Sequence, residues 1–117
     1  MSKNNISISD YPIFNKNERQ LISHLLYLSQ KNKIAELTLE DQEICSLAKI
    51  HKDDLSKFIY NLTSKIIEFK IMTNSDTFHI HTNCFSYLIN NNLYLFIISP
   101  VLFNAICGDD FFSQFKI

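Results

Sequence analysis

The stretch from Leu37 to Phe69, LTLEDQEICSLAKIHKDDLSKFIYNLTSKIIEF, constrains this chain most, because it reads as two helices joined by a tight connection. In the second, Leu55, Phe58, Ile59, Leu62 and Ile66 recur at helical spacing, so one stripe faces a core while Asp54, Lys57, Asn61 and Lys65 face outward. The first is shorter. Thr38 is placed to cap it, Glu40 and Asp41 put negative charge in its first turn, and Ile44, Leu47 and Ala48 form the buried side. Ile50 plugs the turn between them. A helix-turn-helix alone buries too little surface to be stable, so the flanking segments must complete the domain.

Upstream, residues 1–11 are polar and aperiodic, and read as a flexible N-terminal arm with Ile6, Ile8 and Tyr11 as docking points; residues 12–117 form one domain. Asn15 followed by Glu18 is a capping-box pattern, and Leu21, Ile22, Leu25, Leu26 and Leu28 predict an amphipathic helix to about Gln30. Lys31 to Lys33 end it, and Ile34 to Leu39 includes a short extended segment.

Downstream the period becomes extended: Lys70 to Thr73, a turn at Asn74 to Asp76, then a run from Thr77 to Ile89. Phe78 and Ile80 lie on one parity and Phe85, Tyr87 and Ile89 on the other, which implies a bulge or kink near Thr82 and Asn83. Asn90 to Asn92 reverse the chain into Leu93 to Ser99. Pro100 opens a last helix through Ile106, Gly108 stops it, and Phe111, Phe112 and Phe115 follow. With one Gly and two Pro in 117 residues, turns fall to Asn, Asp and Ser. The order of helix, short strand, helix, helix, β-hairpin, helix predicts an α+β winged helix: a helix-turn-helix with a β-hairpin wing and extra N-terminal and C-terminal helices.

These blocks resemble the N-terminal winged-helix domain of the replication initiator proteins of iteron-containing bacterial plasmids. The resemblance rests on PIFNKNERQLISHLLYL, LAKIHKDDLSKFIYNLTSKIIEF and LYLFIISPVLFNAI, which together span most of the chain from Pro12 to Phe115. It implies a role in initiating plasmid replication, with dimers that are inactive or autoregulatory and monomers that bind origin repeats. In such proteins the first domain is the dimerisation module and makes accessory contacts to the DNA backbone. A second winged helix, which would follow Ile117, supplies the main sequence-specific contacts. The implied partners are a second copy of the chain, plasmid origin DNA for the full-length protein, and host replication proteins. A small winged-helix transcriptional regulator is the alternative.

A formal net charge of −1, from 11 basic and 12 acidic residues, is not the footprint of a protein that binds nucleic acid by bulk electrostatics, so any DNA contact is expected to be local or weak. On the second central helix the outward candidates for DNA binding are Lys52, Lys57, Tyr60, Asn61, Ser64 and Lys65, and the plainer reading is a solvated face. Base-reading helices present their N-terminal turn to the groove; here that turn carries Asp53 and Asp54, and the helix has no arginine for a bidentate guanine contact.

Self-association is expected from Leu93 to Ile98, apolar at both parities, with Leu93, Tyr94, Phe96 and Ile98 as candidate dimer-interface residues. The alternative cover is the terminal aromatic segment. Enzyme chemistry, cofactors and a metal site are not expected. His79 and His81 share a strand face but make only two ligands, and Cys84 falls on the other parity. Cys45 reads as a small buried hydrophobe, and the thiol of Cys107 lies beside Asp109 and Asp110, which oppose ionisation. A single glycine rules out a Gly-rich phosphate loop. Three widely spaced cysteines, no signal peptide and no bilayer-length apolar run point to free thiols in the cytoplasm.

Overall fold

The fold builds from α1 (Lys16–Asn32), whose start is fixed locally. Asn15 Oδ1 accepts from the Glu18 N–H at 2.8 Å while Glu18 Oε1 accepts from the Asn15 N–H at 2.8 Å, the reciprocal capping box expected of this pair. Leu21, Ile22 and Leu25 are fully buried along one side. The helix ends at Lys33 in a left-handed conformation (φ 55), its N–H bonded to the Ser29 carbonyl. The computed structural model describes residues 5–8, 13–72 and 76–107.

Strand β2 (Glu36–Glu40) alternates exposed and buried residues, with Leu37 and Leu39 inward, and runs directly into α2 (Asp41–Ala48). Glu40 rather than Thr38 is therefore the residue that caps α2. Thr38 is paired in the strand opposite Leu95, and Glu43 Oε1 accepts from the Glu40 N–H at 3.0 Å. Ile44 and Ala48 are buried as expected, and Lys49 closes α2 in a left-handed conformation (φ 58). A short 3-10 turn, Lys52–Asp54, leads into α3 (Leu55–Ser64), which buries Leu55, Phe58, Ile59 and Leu62.

The end of α3 differs from the sequence expectation. Ile66, spaced to extend the buried stripe, is 55% exposed and opens β3 (Ile66–Met72). The helix stops where a distant side chain takes up its last turn: Asn83 Nδ2 donates to the Thr63 carbonyl at 2.6 Å, while the Ser64 hydroxyl donates back within the helix to the Tyr60 carbonyl at 2.6 Å. Strand β3 pairs antiparallel with β4 (Thr77–Asn83) and with β1 (Asn5–Ile8) in a sheet of order β1-β3-β4. Thus within the segment read as an arm, residues 5–8 add an edge strand; the rest of that segment lies outside the described residues, as do Gly108 and the terminal aromatics.

The parity change after β4 is a change of sheet. Cys84, buried, separates β4 from β5 (Phe85–Asn90), and its carbonyl accepts from the Ser99 N–H at 2.9 Å. β5 turns through Asn91 (φ 58) and Asn92 into β6 (Leu93–Ile98), and β6 pairs with both β5 and β2 in a second sheet of order β2-β6-β5. The strand between the first two helices is thus closed by a hairpin that follows the helix-turn-helix, which is the winged-helix arrangement. It carries an additional hairpin, β3–β4, where one hairpin was expected. Helix α4 (Pro100–Cys107) is the last of the described elements and buries Leu102.

One core joins these elements: Phe14, Leu21, Ile22 and Leu25 meet Ile44, Ile59 and Leu62 from the helix pair and Phe85, Phe96 and Ile98 from the second sheet.

Candidate nucleic-acid and self-association surfaces

On α3, Lys57, Tyr60, Asn61 and Ser64 lie at i, i+3, i+4 and i+7 and are all exposed, Tyr60 at 64%. The Ser64 hydroxyl is already used within the helix. Lys52 is 73% exposed, and its Nζ sits 3.3 Å from Asp41 Oδ2. Asp53 and Asp54 are exposed at the entry to the helix, so the acidic start read from the sequence stands at the surface.

Lys65 does not belong to this face. Its Nζ is 2.6 Å from Oε1 of Glu18, a buried carboxylate in the first turn of α1, and 5.7 Å from the centre of the Phe14 ring. The chain is extended at Lys65, which turns the side chain from the helix surface back toward α1. The ammonium of Lys65, expected as a DNA contact, is thus engaged in an ion pair within the fold.

A second basic surface carries none of the expected residues. Lys16, Arg19, Gln20 and Ser23 along one side of α1, with Leu47 and Lys49 at the end of α2, line an open groove of about 620 Å³. The i, i+3, i+4, i+7 spacing of the α1 residues was visible in sequence; that Lys49 joins them depends on how α2 packs against α1.

The second sheet separates the two parities of β6. Tyr94, Phe96 and Ile98 turn toward the helices and are buried; Phe96 meets Phe85 edge-on at 6.2 Å, and Tyr94 stacks on Phe96 at 6.2 Å. These three candidate interface residues are corrected to core residues, because the helical layer covers that face within the chain. Leu93, 41% exposed, is on the other face, where register aligns it with Leu95 and Ile97 on β6 and Ser86, Leu88 and Asn90 on β5. Leu88 is 62% exposed, and Glu36, Thr38 and Glu40 of β2 border the same face. Leu88, Leu95 and Ile97 are the surface residues the sequence reading did not select. The β5–β6 turn is held to the helix pair, since the Asn92 carbonyl accepts from the Asp41 N–H at 2.9 Å.

Of the remaining chemistry, His79 and His81 are exposed on β4, with His81 Nε2 3.1 Å from Glu68 Oε1 across the β3–β4 pair. Among the described residues no group of three or more His, Cys, Asp or Glu side chains is placed to hold a metal. Burial pushes the Cys84 thiol up to about 12. Cys45 is raised chiefly by burial and then by Asp41, against the opposing effect of Lys52. Both thiols are therefore protonated at neutral pH and poor nucleophiles. Among the described residues no helix is long and apolar enough to cross a membrane.

No family model matches the sequence, and no curated protein matches it at a significant level. Among solved structures, the chain is similar to the WH1 domain of MSBI1.176, described as a replication protein isolated from a multiple sclerosis patient. The two share 13% identity with a TM-score of 0.48, over 86% of this chain and 85% of that one.

Proposed function

We propose that this chain is the winged-helix dimerisation module of a plasmid replication initiator, acting in the cytoplasm as a binding unit without enzymatic activity, with accessory, sequence-independent contacts to the DNA backbone. The observation that carries this reading is the apolar outer face of the β2-β6-β5 sheet. Leu88, Leu93, Leu95 and Ile97 form a contiguous patch whose other side is already filled by the core. A two-fold axis lets such a patch cover itself, which removes an aggregation hazard and yields a closed dimer. A specific interface takes about 800 Å² from each partner, so the contact extends to the Thr38 and Ser86 rows beside the leucines. The resemblance in the helix pair and the LYLFIISPVLFNAI block supports the same assignment, and host replication proteins are the further partners it entails.

Light scattering across a micromolar concentration series tests this. The chain should show twice its 13.7 kDa mass, and Leu88→Lys should return it to monomer with its circular dichroism unchanged. A wild-type monomer throughout the series contradicts the dimer.

A winged-helix transcriptional regulator is the second reading. It is favoured by one observation, the exposed Lys57, Tyr60 and Asn61 side chains along α3. It requires sequence-selective binding of duplex DNA by residues 1–117 alone, and loss of that selectivity in Asn61→Ala.

A further inference from the structure

We infer that the groove between α1 and α2 is a phosphate-backbone site for duplex DNA, so that the accessory DNA contact runs through Lys16, Arg19 and Lys49 and not through the outward face of α3. This rests on the DNA half of the function proposed above.

Three cations from two helices converge on one open groove, and among the described residues no acidic side chain lines it. The chain as a whole carries a net charge of −1, so a local excess of three positive charges is a departure from its average. Among the described residues none of the three is in an ion pair; the pairs formed elsewhere use Lys52, Lys65 and His81. Arg19 donates through Nη1 to the Phe14 carbonyl at 2.5 Å, which anchors one arm of the guanidinium and leaves its other donors.

The nearest carboxylate in sequence is removed from the surface. Glu18 is turned inward, buried and neutralised by Lys65, so it does not offset Lys16 and Arg19 on either side of it. Lys16 and Arg19 also sit in the first turns of α1, where the helix dipole adds positive potential to theirs. An anion in the groove is attracted by all of these at once.

Shape selects the anion. The groove is open to solvent, which suits a backbone phosphate presented by a large partner and not a small enclosed metabolite, and Gln20 and Ser23 add neutral polar groups beside the cations. Lys49 closes α2 immediately before the turn to α3. In a helix-turn-helix the first helix is the one that crosses the phosphate backbone, so Lys49 stands where such a contact belongs. The entry to α3, by contrast, presents Asp53 and Asp54, which repel phosphate.

The test uses the full chain, a short duplex of random sequence and a salt titration. Each phosphate contact contributes about 0.9 to the slope of log K against log salt, so the double variant Lys16→Gln, Lys49→Gln should lower that slope by about 2 and weaken binding at low salt at least tenfold. Both lysines are exposed and, among the described residues, form no ion pair, so the variant keeps its circular dichroism and melting temperature. Lys57→Gln on α3 should leave the slope unchanged. The opposite pattern, with Lys57→Gln lowering the slope and the groove variant matching wild type, overturns the groove and leaves DNA binding standing. A wild-type chain that shifts no duplex at low salt overturns DNA binding and the groove with it. Poly-glutamate that competes as well as unlabelled duplex overturns the assignment to DNA, because the groove is then a site for acidic peptide.

Discussion

Lys65 Nζ and Glu18 Oε1 are 2.6 Å apart although 47 residues separate them in the chain, and the same carboxylate oxygen accepts the Asn15 N–H at 2.8 Å. One buried group thus closes the α1 capping box and ties the start of that helix to the end of α3. Removing the ammonium leaves the buried Glu18 carboxylate without its charge partner. Lys65→Met should therefore cost about 3 kcal/mol of stability in urea unfolding, as broken buried pairs do, and the paired change Glu18→Gln, Lys65→Met should recover part of that loss. A Lys65→Met protein as stable as wild type but weaker on DNA would return this lysine to the DNA-contact role that its sequence position suggested.

The two parities of β6 predict opposite phenotypes. Phe96 is fully buried against Phe85, so Phe96→Ala should cost about 3–5 kcal/mol, the usual range for a large aromatic truncation. Leu95, its neighbour on the outer face, tolerates Leu95→Lys with little loss of stability and a loss of self-association. Equal destabilisation by the two substitutions would mean that the outer face is covered within the chain.

The ionisation of buried groups sets an alkaline limit. Burial holds the Cys84 thiol near 12, above its ordinary 9.0, and the Tyr94 phenol is raised in the same direction by burial. The unfolded chain releases these protons first, so the folded state is fully favoured below about pH 9 and loses stability as pH rises toward 12. Unfolding midpoints measured at intervals above pH 8 should fall through this window, and Cys84→Ala should flatten the decline. Rapid labelling of native Cys84 by a thiol reagent at pH 8 would show that the group is not held protonated.

What the sequence made legible was whatever is decided locally. The α1 capping box depends on two residues three apart, and the α3 stripe depends on spacing, so Asn15, Glu18, Leu55, Phe58, Ile59 and Leu62 all occupy the places their pattern assigns. The switch of parity between Ile80 and Phe85 was legible as a break, but its position at Cys84 and its meaning, a passage from one sheet to the other, depend on the distant Ser99. The end of α3 was not legible, since Ile66 continues the helical spacing and the group that stops the helix is Asn83. Nor was the facing of β6: a strand apolar on both sides does not reveal which side the helices take. The basic groove was missed for the same reason, because Lys16 and Lys49 become neighbours only through packing.

Methyl NMR of the full chain as a function of its own concentration tests the proposed dimer face most directly, because it reads the face residue by residue. Raising the protein from micromolar to millimolar should shift or broaden the methyl signals of Leu88, Leu93, Leu95 and Ile97, while those of the buried Leu21, Leu25 and Leu62 stay in place. Signals independent of concentration for the four outer residues, or shifts confined to α3, would contradict self-association through the β2-β6-β5 sheet.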